Sequence, residues 1–117
     1  MGSAIRGAQV SSAQIDWIQA SGAGSKDQDA SEITAIRAVV RGIIPLVTST
    51  EAYFGHYNGA GPAIGLVSAI EAQRQGWEPS TLNFNYNTVA FPGIDFVLNV
   101  ARKKTRMCFY PRQQPLV

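Results

Sequence analysis

Apolar and polar positions along the chain follow two periods, and the changes of period divide it into short strands and amphipathic helices. Ile15 to Ala20 (Ile-Asp-Trp-Ile-Gln-Ala) is a brief β-branched and aromatic run ending in Ser21-Gly22-Ala23-Gly24-Ser25. A strand feeding a flexible turn accounts for both. Asp29 follows with Glu32 three residues on, the spacing of a capping box at a new helix start. Ala30, Ile33, Ile36 and Val40 then recur at helical spacing, and Gly42 stops the run. Ile43 to Val47 predicts a second strand running into Thr48-Ser49-Thr50. A glycine-rich stretch, Gly55 to Gly61, leads to Pro62 at the first helical position, where a missing amide costs nothing. Ala63, Leu66, Val67 and Ile70 share one face of this helix, with Ile64 beside them, and Gly76 closes it as a left-handed cap. Ser80 to Phe84 predicts a third strand. Asn83 to Thr88 alternates polar and aromatic residues, as an edge or loop would. Ile94 to Val100 is apolar without a clear period, and nothing from Met107 onward is periodic.

Strand, helix, strand, helix, strand with short connections predicts βαβ units and an α/β fold with a mainly parallel sheet flanked by helices. In such folds chemistry gathers where strands end and helices begin, because backbone amides and the helix dipole converge there. The two places are the Ser21 to Asp27 turn and the Gly55 to Gly61 turn.

Composition narrows the picture. The 117 residues suit one domain, and 45% hydrophobic content excludes disorder, collagen-like repeats and a coiled coil. Only 15% are charged, so part of the surface is expected to lie against another chain. The single cysteine, Cys108, has no internal disulfide partner and no zinc-ligand spacing around it, which reads as a cytoplasmic protein. No apolar run reaches the ~18 residues of a spanning helix, and the N-terminus lacks the order of a signal peptide; no membrane contact is expected. The net charge of +2 is uneven: residues 1 to 95 carry −3, while Arg102, Lys103, Lys104, Arg106 and Arg112 contribute +5. That cluster is either a solvated tail or a grip for nucleic acid or an acidic partner protein. No nucleic-acid fold signature accompanies it.

His56 is the only histidine and lies in the second strand-to-helix turn. An imidazole there either stabilises an oxyanion or acts as general base; the plainer reading is a loop histidine bonded to a carbonyl. Glu51, five residues earlier, would orient or charge it if the two touch, which spacing alone does not decide. Gly59-Ala60-Gly61-Pro62-Ala63-Ile64-Gly65 misses the dinucleotide spacing, and Pro62 removes an amide that phosphate binding uses, so close helix packing through small residues is the better reading. No Walker sequence and no G-x-S-x-G elbow occurs. Ser21 or Ser49, His56 and Asp16 make a triad on paper, as any serine-rich chain allows. Cys108 sits near basic residues that favour a thiolate, though an incidental cysteine fits as well.

Taken together, Ile15 to Ser25 with Asp29 to Ile36 resembles the C-terminal half of a β-ketoacyl synthase, where a strand ends in H-G-T-G-T before an acidic-capped helix. Ser49-Thr50-Glu51-Ala52-Tyr53-Phe54-Gly55-His56 resembles that family's S-T-K-x-x-x-G-H. Gly59 to Glu71 resembles the small-residue helix behind it, and Glu78-Pro79-Ser80-Thr81-Leu82-Asn83 resembles P-P-T-x-N. The resemblance implies a thiolase-like half-domain over residues 1–104, followed by an irregular or altered tail over 105–117. It implies a protein of fatty-acid or polyketide biosynthesis, with acyl carrier protein and either a complementary synthase half or another copy as partners, and no cofactor. His56 matches the family's second histidine, Ser21 stands in place of the first, and Glu51 stands in place of the lysine. The nucleophilic cysteine of the family belongs to the other half, and Cys108 matches no nucleophile position. Met107 to Arg112 stands where the family has a glycine-rich loop. The expectation is therefore a synthase-like chain without condensing activity alone; the alternatives are a non-catalytic, chain-length-factor-like or carrier-docking subunit, and a serine hydrolase.

Overall fold

The computed structural model describes residues 1–40, 42, 45–84, 91–103 and 108–109. Helix α1 (Gly2–Gly7) and a 3₁₀ turn (Ser12–Gln14) lead into strand β1 (Trp17–Gln19), which is buried along its whole length. Successive side chains of a strand point to opposite faces. Ile18 therefore joins Ile33 and Ile36 of helix α2 (Lys26–Val39), Val47 of strand β2 (Leu46–Thr48) and Ile5 of α1 in the apolar core. Trp17 and Gln19 lie on the other face, where burial requires partners. Trp17 Nε1 donates to Thr48 Oγ1 (2.7 Å), Thr48 Oγ1 donates to Gln19 Oε1 (3.0 Å), and Gln19 Nε2 donates to Thr50 Oγ1 (3.0 Å).

Strand β1 pairs in parallel with β2, Ile18 opposite Val47. β2 pairs in parallel with β4 (Asp95–Phe96), and β1 with β6 (Cys108–Phe109), which gives the order β4-β2-β1-β6. A separate antiparallel pair joins β3 (Trp77–Glu78) to β5 (Arg102–Lys103). The parallel four-stranded sheet with its flanking helices is the α/β class expected. No helix among the described residues is long and apolar enough to cross a membrane.

Several boundaries differ from the reading of the sequence. Helix α2 begins at Lys26 behind Ser25, not at Asp29, so Asp29 and Glu32 do not form a capping box; the Asp29 amide donates to the Ser25 carbonyl inside the first turn. Ser80 to Phe84 is not a strand: its ladder shrinks to a single bridge, Thr81 with Leu98, and the paired residues are Trp77 and Glu78 just before it. Within Ile94 to Val100, Asp95 and Phe96 form β4. Cys108 and Phe109 form a strand in a segment without a periodic signal; Cys108 pairs with Trp17. Ile43, Ile44, Asn85 to Ala90, Lys104, Arg106 and Arg112 lie outside the described residues.

Helix α4 (Gly61–Gln75) has Pro62 in its first turn and Gly76 in the left-handed conformation at its end, as expected. It packs through Gly61, Gly65 and Ala69, three small residues one turn apart. The stripe of larger residues looks outward: Leu66 is 47%, Val67 67% and Ile70 51% exposed. The helix is therefore held by its smallest face.

Candidate functional site

Because β1 and β2 are parallel neighbours, they release the chain at the same edge of the sheet. After β1 come Ala20, Ser21 and Gly22; after β2 come Ser49, Thr50 and the short helix α3 (Glu51–Phe54). The two exits are laced together. The Ala20 amide donates to the Thr48 carbonyl (2.7 Å), Ser49 Oγ donates to the Ser21 carbonyl (2.7 Å), and the Ser49 amide donates to Thr81 Oγ1 (2.9 Å). Gly22 has φ +58°, and a Cβ there would lie 2.5 Å from Ser49 Oγ. Gly55, with φ +87°, ends α3 and turns the chain into His56.

Three residues meet on this edge: Ser21, Glu51 and His56. Ser21 Oγ donates to Glu51 Oε1 (3.3 Å), and His56 Nδ1 lies 2.5 Å from Glu51 Oε2. The Glu51 side chain is 12% exposed and that of His56 39%. Gly61, at the start of α4, leaves room for the carboxylate, since a Cβ there would stand 2.9 Å from Glu51 Oε1. A carboxylate only accepts hydrogen bonds, so Nδ1 carries the proton of this contact. With Nδ1–H committed to Glu51, Nε2 donates a hydrogen bond when the ring is cationic and accepts one when it is neutral.

Sequence reasoning missed two acids. Glu32, set aside as a capping residue, reaches back to hold the β1 exit: Oε1 accepts from the Ser21 amide (2.8 Å) and Oε2 from the Gly22 amide (3.1 Å). Burial raises its carboxyl above the ordinary range, partly offset by those two amides, while the charges of Asp29 and Glu51 add to the rise. Burial raises Asp29 in the same way, against the pull of the Gly24 and Ala23 amides. Its Oδ1 is buried and has no hydrogen-bond partner. The signal that points to these residues is present: both lie within the first two turns of the helix that follows the glycine-rich β1 exit. Among the described residues no group of three or more His, Cys, Asp or Glu is placed to hold a metal.

The serine triad is not assembled. Ser21 Oγ spends its proton on Glu51 rather than on His56, Ser49 Oγ spends its proton on a carbonyl, and Asp16 precedes β1 at the opposite end from Ser21.

A cleft of about 760 Å³ opens beside this edge. Asp29, Glu32, Glu51 and His56 border it, and Ile33, Val47, Leu82, Phe84, Phe91 and Phe96 give it an apolar lining. The rings of Phe84 and Phe96 lie 4.9 Å apart.

Residues 1–85 match the family model described as "Beta-ketoacyl synthase, C-terminal domain". The chain is 31% identical over 106 residues to the "Putative 3-oxoacyl-[acyl-carrier-protein] synthase, mitochondrial" of Schizosaccharomyces pombe, covering 85% of this chain and 25% of that protein. It is 28% identical over 86 residues to "Nodulation protein E" of Rhizobium meliloti, covering 72% and 21%. Among solved structures, "The ishigamide ketosynthase/chain length factor" superposes with a TM-score of 0.79 at 31% identity, over 86% of this chain and 25% of that one. The chain thus spans about a quarter of the length of these relatives. With a matched domain, a parallel sheet of the same shape and the synthase motifs brought together at one edge, this chain belongs to the β-ketoacyl synthase family, as a stretch of its C-terminal domain.

Proposed function

We propose that this chain works in fatty-acid or polyketide biosynthesis as the C-terminal part of a β-ketoacyl-[acyl-carrier-protein] synthase-like protein, and does not condense acyl groups as an isolated chain. One observation carries this reading: the His56 Nδ1–H is committed to Glu51 (2.5 Å), so a neutral His56 has no donor left at Nε2 for a developing oxyanion. Ser21, in place of the first histidine, supplies no imidazole. Malonyl-loaded acyl carrier protein should therefore keep its carboxylate in the presence of the chain. The cytoplasm is the setting this reading takes, on the lone Cys108 of the sequence.

A second reading, a non-catalytic partner subunit, is favoured by the outward stripe on α4. Leu66, Val67 and Ile70 are each about half exposed or more, and monomers seldom present such a contiguous apolar face. A complementary synthase half or a second copy would cover it. Acyl carrier protein would dock at the basic end, where Lys103 is exposed while Arg102 is engaged with Asp95 through two contacts of 3.1 Å. In light scattering at micromolar concentration the chain should exceed its own 12.6 kDa mass. A monodisperse particle of 12.6 kDa would count against a covered α4 face.

A further inference from the structure

We propose that Glu51 makes the cleft selective for uncharged acyl groups, so that it admits a neutral acyl thioester and excludes one ending in a carboxylate. This rests on the synthase-like reading proposed above, takes the cleft beside the strand exits as the place where such a protein would hold an acyl chain, and names which acyl groups it admits.

The cleft is an apolar chamber with an acidic border. Its lining of Ile33, Val47, Leu82 and three phenylalanines offers burial to a hydrocarbon chain. Its border places Asp29, Glu32 and Glu51 together. Glu51 is fixed rather than free to swing aside: Ser21 Oγ holds one oxygen and His56 Nδ1 the other. The space left by Gly61 accommodates it at the start of α4. Among the described lining residues, the cations available to a ligand carboxylate are Lys26, which is exposed to solvent, and His56, whose Nδ1 proton is already committed. At about 5 Å from Glu51, a second carboxylate meets repulsion that amounts to roughly a hundredfold in affinity at an effective dielectric constant of about 20, and less in salt. Where the family has a lysine, the same approach is attractive; the substitution reverses the sign of the field at the mouth.

The test compares two N-acetylcysteamine thioesters of equal length, octanoyl and its analogue with a terminal carboxylate, titrated into the full 117-residue chain by calorimetry. The octanoyl thioester should bind at least about tenfold more tightly at low salt. Glu51→Lys should narrow or invert that ratio, and Glu51→Gln should fall between. Should a variant fail to fold, raising the salt with the unaltered chain should shrink the preference. Equal binding of the two thioesters, or a ratio indifferent to both Glu51→Lys and salt, overturns the selectivity alone. Binding of neither thioester overturns the selectivity together with the acyl reading of the cleft.

Discussion

Gly22→Ala is expected to destabilise the chain by about 3 kcal/mol and lower its melting temperature by roughly 10 °C. Two separate causes add. The left-handed backbone, φ +58°, costs a non-glycine residue about 1 kcal/mol or more. The new Cβ would stand 2.5 Å from Ser49 Oγ and 2.6 Å from Ser49 Cβ, and an overpacked contact of that kind adds about 2 kcal/mol. Gly24 provides the control. It too has a positive φ, +76°, but a Cβ there meets nothing within 4 Å, so Gly24→Ala should cost only about 1 kcal/mol. Denaturant unfolding of both variants separates backbone strain from steric overlap. Adding Ser49→Gly to Gly22→Ala should recover at least about 1 kcal/mol of coupling. Equal losses at the two glycines would show that the exits of β1 and β2 are not in contact.

Ile36→Ala should cost about 4 kcal/mol, because Ile36 is fully buried among Ile18, Ile33 and Val47 and its removal leaves a cavity against the sheet. For a domain whose whole stability is about 5–15 kcal/mol, that approaches unfolding. Val67→Ala removes two carbons from α4 against three for Ile36→Ala, yet Val67 is 67% exposed, so the change should stay within about 0.5 kcal/mol. Urea melts of the two variants test which helix carries the core. A Val67→Ala loss as large as that of Ile36→Ala would mean that the outward stripe of α4 is buried in this chain.

The contrast between those two helices also shows what the sequence makes legible. Ile33, Ile36 and Val40 recur at helical spacing and are buried, since α2 packs on the sheet by its largest residues. On α4 the same period marks Leu66, Val67 and Ile70, but the face against β1 is Gly61, Gly65 and Ala69. Periodicity identifies a helix and its apolar stripe; it does not say whether that stripe faces this chain's own sheet or another surface. The strand exits are readable because glycine and serine clusters mark turns, whereas the contact of His56 with Glu51, five residues apart, is decided only by the fold. Glu32 was misassigned because a capping box and a reach across to the preceding turn share one local pattern, and only the tertiary position of β1 decides between them. Cys108 and Phe109 formed a strand that two residues could not announce, since their pairing with Trp17 and Ile18 comes from the far end of the chain.

The site's chemistry depends on which nitrogen of one imidazole faces the cleft with a proton. With Glu51 holding Nδ1–H, a malonyl carboxylate meets negative charge at the border and no neutral donor at Nε2. The most direct measurement is the release of carbon dioxide from malonyl-loaded acyl carrier protein incubated with the purified chain. Release at the uncatalysed rate, unchanged by His56→Ala, is the predicted result; catalysed release that disappears in His56→Ala would contradict it.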